Sequence, residues 1–135
     1  MTIEYRNTLP PKDAFFALFE STGWNQEYKL ASDALFEAVQ RSWYMVGAYD
    51  GERLVGFGRI LSDGILHALI VEMMVLPEYR GRHIGSTVLK HLVQACREHG
   101  VRDVQLFSAR GKHGFYKKYG FVERAADAPG MELKD

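Results

Sequence analysis

Hydrophobic and polar positions change their period several times along the chain, and each change predicts an element. Residues 2–6 (TIEYR) read as a short strand. Pro10-Pro11 ends it, with Pro11 suited to the first turn of a helix. Phe15, Phe16, Leu18 and Phe19 then give residues 12–22 an apolar face at helical spacing, closed by Gly23. A second helix is predicted over 30–41 from Leu30, Ala34, Leu35, Ala38 and Val39. Next come two β-rich runs, 43–49 (WYMVGAY) and 53–61 (RLVGFGRIL), around the turn Asp50-Gly51. Asp63-Gly64 turns the chain again into ILHALIVEMMVL, residues 65–76, which Pro77 stops. So long an apolar run predicts a central strand buried on both faces, the last of three successive antiparallel strands. Helical period returns at 84–98, where Ile84, Val88, Leu89, Leu92, Val93 and Cys96 share a face ahead of Gly100. A short strand at 103–107, a short helix at 112–119 closed by Gly120, and final strands at 121–122 and 131–134 complete the reading. The run 65–76, the helix after it and the strand at 103–107 form a βαβ unit, whose strands run parallel with a right-handed crossover. The class is α/β with a mixed sheet.

Composition narrows the function. A chain of 135 residues, 47% hydrophobic and 25% charged, is expected to form a single domain over 1–135. Lys plus Arg number 17, as do Asp plus Glu, and this zero balance argues against general nucleic-acid binding. One cysteine, Cys96, permits no intrachain disulfide and no zinc ribbon. It sits on the apolar face of its helix and reads as core. His91, His99 and His113 have no metal-ligand partners at suitable spacing, so no metal is expected. No apolar run approaches the roughly 20 residues that span a bilayer, and the first residues lack a signal-peptide core. A cytoplasmic protein without membrane contact is expected.

The stretch VLPEYRGRHIGSTVL, residues 75–89, carries the chemistry. A strand ends at Pro77, a turn bearing Arg80, Gly81, Arg82 and Gly85 follows, and a helix begins. Glycines let backbone approach a ligand closely. The first helical amides lack intrahelical partners, and the dipole adds positive potential there. Together these suit a phosphate or pyrophosphate. Ser86 is a candidate to cap the helix or to donate its hydroxyl to a phosphate. The plainer alternative is a glycine-bearing strand-to-helix turn with no ligand. A nucleotide P-loop is excluded by the missing Gly-Lys-Ser/Thr ending, and a dinucleotide fingerprint by the missing three-glycine spacing.

PEYRGRHIG at 77–85 resembles the coenzyme A pyrophosphate signature of the GNAT superfamily of acyl-CoA-dependent N-acyltransferases: Arg or Gln, two residues, Gly, one residue, Gly or Ala. Arg80 and Gly85 fill the outer positions. His83 takes the inner glycine's place, which is tolerable if its φ is negative and its ring points to solvent. GFYKKYGF at 114–121 resembles the family's late aromatic motif, and the order of strands and helices agrees over nearly the whole chain. The resemblance implies a central mixed sheet, flanked by helices, in which two parallel strands, 66–76 and 103–107, splay apart. The pantetheine arm of acetyl-CoA, the implied co-substrate, would pair with backbone near Met73 and Val75. Its pyrophosphate would meet the amides of residues 81–86, that is Gly81, Arg82, His83, Ile84, Gly85 and Ser86. A strand N–H would stabilise the developing oxyanion. The implied activity is acetyl transfer to a primary amine of a small molecule or peptide, by direct attack in a ternary complex. The rival is a non-catalytic acyl-CoA-binding sensor or partner-regulating module on the same fold. A homodimer is compatible with the resemblance.

Two side chains are candidates for proton transfer. Tyr116 matches the tyrosine that the family places near the thioester sulfur, and a phenol stays protonated at neutral pH; the alternative is a core aromatic. Glu72 is a carboxylate inside an apolar strand, where burial is costly, so it is a candidate base. Alternatively it sits in an ion pair or faces solvent. His67, on the same strand, is a second candidate base or a structural residue. Lys117 and Lys118 could reach the 3′-phosphate or line a solvated face. Trp24, Tyr28, Trp43 and Tyr44 are candidates for core packing or for the acceptor side.

Overall fold

Of the run RLVGFGRIL, seven consecutive residues, Leu54–Ile60, are buried, and the sheet is organised around them. In the computed structural model, which describes residues 2–134, the chain separates into a larger compact unit ending at Gln105 and a smaller one beginning at Leu106. Strands β1 (Ile3–Arg6), β2 (Tyr44–Asp50), β3 (Arg53–Ser62), β4 (His67–Val75) and β5 (Asp103–Leu106) lie in chain order in one sheet. The first three pairings are antiparallel. Helix α4 (Ile84–Glu98) carries the chain from the end of β4 back to its start, where the Asp103 N–H donates to the Leu66 carbonyl at 2.8 Å. Strands β4 and β5 therefore begin side by side, and the sheet is mixed as the βαβ pattern predicts.

Helices cover both faces. On one, α4 buries Ile84, Val88, Leu89, Leu92, Ala95 and Cys96. It comes close because β3 has glycine beneath it. A Cβ on Gly56 would lie 2.9 Å from Ile84 Cγ2, and one on Gly58 would lie 2.9 Å from Leu92 Cδ1 and 3.0 Å from Val88 Cγ1. On the other face α1 (Lys12–Glu20) sets Phe15 edge-on against Phe57, with centroids 5.1 Å apart. Helix α3 (Ser32–Gln40) packs beside α1. Between them lies a four-residue helix, α2 (Asn25–Tyr28), that the hydrophobic pattern does not predict. It is closed by the side chain of buried Asn25, which accepts from the Leu30 N–H and donates to the Leu30 carbonyl, each at 2.9 Å.

Two expectations are corrected. The strand buried along its length on both faces is β3, not the 65–76 run. In β4 only Ala68, Ile70 and Met74 are buried, because the short β5 gives little cover on its far side. The final strands at 121–122 and 131–134 do not form: residues 121–134 hold neither strand nor helix. Val122, Met131 and Leu133 are 87%, 88% and 94% exposed. These short apolar pairs are interrupted by Pro129 and Gly130 and bury too little to offset the entropy of ordering backbone. The smaller unit holds α5 (His113–Lys117), whose Phe115 and Tyr116 rings meet edge-on at 5.1 Å.

Candidate functional site

Near its end β4 breaks its regular pairing with β3. Phe57 faces Met74 and Arg59 faces Val71, so Gly58 stands opposite Glu72 and Met73 together. This is a β-bulge. Its extra residue is Glu72, at φ 51°, a conformation that costs a non-glycine residue roughly 1–3 kcal/mol. Met73 lies over Gly58, where a Cβ would come 2.7 Å from its sulfur. Glu72 meets Arg59 instead: the Arg59 Nε donates to Glu72 Oε2 at 2.5 Å, and its Nη1 donates to the Ala38 carbonyl at 3.2 Å and the Ser42 hydroxyl at 3.3 Å. Of the two alternatives open to a carboxylate in this strand, the structure holds the ion pair, with a quarter of the Glu72 side chain exposed.

The turn that follows is anchored at several points. The Leu76 N–H donates to the Val55 carbonyl at 2.9 Å, and Pro77 opens a single 3-10 turn, Pro77–Tyr79. The Tyr79 hydroxyl donates to Asp50 Oδ2, and this bond is the first cause of a phenol pKa above its ordinary value. The guanidinium groups of Arg53 and Arg82 lie 5.6 Å and 5.3 Å from the Tyr79 ring centroid. Arg80 folds its Nε back on the Val75 carbonyl at 3.3 Å. Gly81 has φ 78° with nothing within 4 Å of where a Cβ would be, so the backbone is open on that side.

Helix α4 then starts from His83, which is exposed and has φ 63°. Of the two conditions set for a side chain here, exposure is met and a negative φ is not. The turn needs a left-handed residue here, and histidine is among the side chains that tolerate one. The His83 carbonyl accepts the Thr87 N–H at 3.1 Å and the hydroxyls of Ser86 and Thr87 at 3.0 Å and 2.7 Å. Ser86 is therefore not the cap, and its buried hydroxyl is engaged within the first turn rather than aimed outward. The amides of Ile84, Gly85 and Ser86 are the first three of a 15-residue helix and have no carbonyl one turn back to bond. With the dipole behind them, they can accept an anion.

The smaller unit places Tyr116 between Phe115 and Phe121, the latter ring at 6.1 Å. Burial raises its phenol above the usual pKa, so it is a proton donor over the whole neutral range. Lys117 pairs with Glu123 at 3.4 Å, and Lys118 is exposed. His67 pairs through Nδ1 with Asp103 Oδ2 at 2.9 Å, at the start of β4 and the opposite end from the Arg80 turn. An open cleft of about 410 Å³ lies there, walled by Leu61, Leu69, Asp103 and Gln105 among others. Cys96 is buried as expected, which raises its thiol pKa. Trp24 packs against Phe19, and Trp43 against His99. Among the described residues no group of three His, Cys, Asp or Glu side chains is placed to hold a metal, and no helix is long and apolar enough to cross a membrane. Sequence reasoning missed Arg59. The signal was present: Arg59 is the one charge inside the apolar stretch 54–61 and Glu72 the one carboxylate in 65–76, two neighbouring runs with charges of opposite sign.

Comparison with known proteins bears on the family and the fold. A family model described as Acetyltransferase (GNAT) family matches residues 12–121. An uncharacterized N-acetyltransferase, ycf52, of Pyropia yezoensis is 33% identical over 79 residues, 58% of this chain and 45% of that protein. The chain spans about half the length of the curated relatives it matches. Among solved structures, a probable acetyltransferase of unknown function, SA2161, from Staphylococcus aureus superimposes with TM-score 0.83 at 24% identity, covering 99% of this chain and all of that one. A PaiA N-acetyltransferase from Thermoplasma acidophilum, solved in complex with coenzyme A, gives TM-score 0.74 at 20% identity over 92% of each chain.

Proposed function

The chain belongs to the GNAT family of acetyltransferases, and on that premise we propose that it transfers an acetyl group from acetyl-CoA to a primary amine. The observation that carries the reading is the start of α4: three amides without a capping partner among the described residues, an open glycine at 81 and a helix dipole, directly after a bulged strand. These groups fit a diphosphate. The amides of Gly81, Arg82, His83, Ile84, Gly85 and Ser86 would hold it, and backbone at Met73 and Val75 would pair with the pantetheine arm as an added strand does. Acetyl-CoA would supply the activated acyl group. The residues of the chain supply positioning, charge stabilisation and proton transfer.

An alkylammonium has a pKa near ~10.4 and must lose its proton before it attacks. Glu72 takes that proton, directly or through one water, by way of the carboxylate oxygen that Arg59 leaves unbonded. A backbone N–H of β4 stabilises the charge that develops on the thioester oxygen as the amine nitrogen bonds to the carbonyl carbon. Tyr116 donates its phenolic proton to the sulfur as the carbon–sulfur bond breaks, and its burial keeps that proton in place until it is needed. The acylated nitrogen then gives up its second proton, through water, to the Tyr116 phenolate, so the products are an amide and free coenzyme A, with no covalent enzyme intermediate. A single buried thiol is in keeping with a reducing compartment such as the cytoplasm.

The test is thiol release from acetyl-CoA over a panel of amine classes: serotonin, spermidine, glucosamine 6-phosphate and a lysine-bearing peptide. Release that depends on one class supports the proposal and names the acceptor. Calorimetric binding of acetyl-CoA with no release over the panel would favour the sensor reading.

A further inference from the structure

Arg59 is the only charged side chain in the buried run Leu54–Ile60 of β3, and only 10% of it is exposed. It is held from two directions. Its Nη1 is fixed by Ser42 and by the carbonyl of Ala38, in the last turn of α3, where the helix dipole favours a cation. Its Nε is fixed on Glu72 Oε2. A buried ion pair is a poor way to stabilise a sheet, since apolar side chains of similar volume hold it as well or better. Packing alone therefore gives no reason for arginine here, nor for a carboxylate on the strained residue of a bulge. The consequence falls on Glu72. One of its oxygens is clamped; among the described residues the other, Oε1, accepts no hydrogen bond. The Glu72 side chain is 24% exposed, so Oε1 can meet a water or an ammonium.

We infer that Arg59 is a positioning residue for acyl transfer: braced on the end of α3, it fixes the rotamer of Glu72 at the bulge so that Oε1 faces the incoming amine. The inference rests on the reading of Glu72 as base. Arg59 needs no contact with substrate, because its reach ends at Glu72. A planar fork that serves Glu72 with one nitrogen and α3 with another is something lysine cannot reproduce.

The experiment is a double-mutant cycle on Arg59→Met and Glu72→Gln. It is read as kcat for thiol release with serotonin, or with the fastest amine of the panel if serotonin is not accepted. Acetyl-CoA affinity is followed by calorimetry, and folding by thermal melting. Glu72→Gln is expected to lower kcat by more than about tenfold, the scale of a lost general base. Arg59→Met should lower it comparably, and the double variant should be no worse than either single one, because the two residues act as a unit. Acetyl-CoA affinity should hold in all three. Arg59→Lys should not rescue kcat. Should Arg59→Met fail to fold, Ser42→Ala removes one brace of the guanidinium, and its smaller loss of kcat should vanish in the Glu72→Gln background. A full Glu72→Gln effect with unchanged kcat in Arg59→Met, or losses that multiply, would overturn the role of Arg59 and leave the base reading standing. An inactive wild type, or an unaffected Glu72→Gln variant, would overturn the reading beneath it and the inference with it.

Discussion

Tyr116 joins an ordinary sequence feature to a definite chemical expectation. Its aromatic neighbours bury it and raise its phenol pKa, so the protonated form persists to a higher pH than a free phenol allows. Tyr116→Phe should cut kcat strongly while leaving acetyl-CoA affinity nearly intact, and the alkaline limb of the wild-type kcat profile should lie above the free-phenol value of ~10 and disappear in the variant. Unchanged turnover would remove Tyr116 from the mechanism. Asp63 offers a separate test. Its Oδ1 accepts the N–H groups of Ile65, Leu66 and His67, and the first two are the leading causes of a lowered carboxyl pKa. A lowered folded-state pKa stabilises the fold above the unfolded value of ~3.9 and loses that contribution as pH falls through the folded value. Asp63→Ala should therefore melt below wild type at neutral pH, and the gap should close in acid. At this scale the sequence exposes chemistry but not partnership. Glu72 stands out as a carboxylate in an apolar strand, yet its engagement by Arg59 depends on β-register and on a bulge that single-residue reading does not reveal.

Elements with strong local signals were legible to the residue. Helix α4 runs over the 84–98 that its period predicts, because six apolar positions repeat on one face and Gly100 follows. Elements that depend on tertiary context were not. The four-residue α2 is held by one buried asparagine, and the strands expected after Gly120 find no burial. The burial of β3 follows from helices on both faces and from two glycines that admit α4. Gly58 is the sharper case, since an added methyl group would crowd Met73, Leu92 and Val88 at once. Those atoms end flexible side chains and can yield in part, so Gly58→Ala should cost about 1 kcal/mol in urea unfolding and Gly58→Val more, within the 1–3 kcal/mol range of an overpacked core. Equal stability of both variants would mean that α4 does not bear on the bulge as described.

Over the whole molecule, 17 basic and 17 acidic residues cancel, so in the proposal recognition of a phosphorylated ligand would fall to local backbone geometry rather than to net charge. The proposed geometry is the turn from β4 into α4, the most legible stretch of the candidate site in the sequence, because glycine and arginine spacing after an apolar run encodes strand, turn and helix start. The conformation of His83 was not legible, since a φ of 63° is fixed by the turn as a whole. The most direct measurement is a calorimetric titration of acetyl-CoA into wild type and into Gly85→Asp. Aspartate in the first turn suits the helix dipole, so the variant should melt at or near the wild-type temperature, while its carboxylate repels the diphosphate and lowers affinity more than about tenfold. Saturable heat with wild type and its loss in a folded Gly85→Asp is the expected result. No heat with wild type, or equal affinity in the two proteins, would contradict the assignment of this helix start as the donor site.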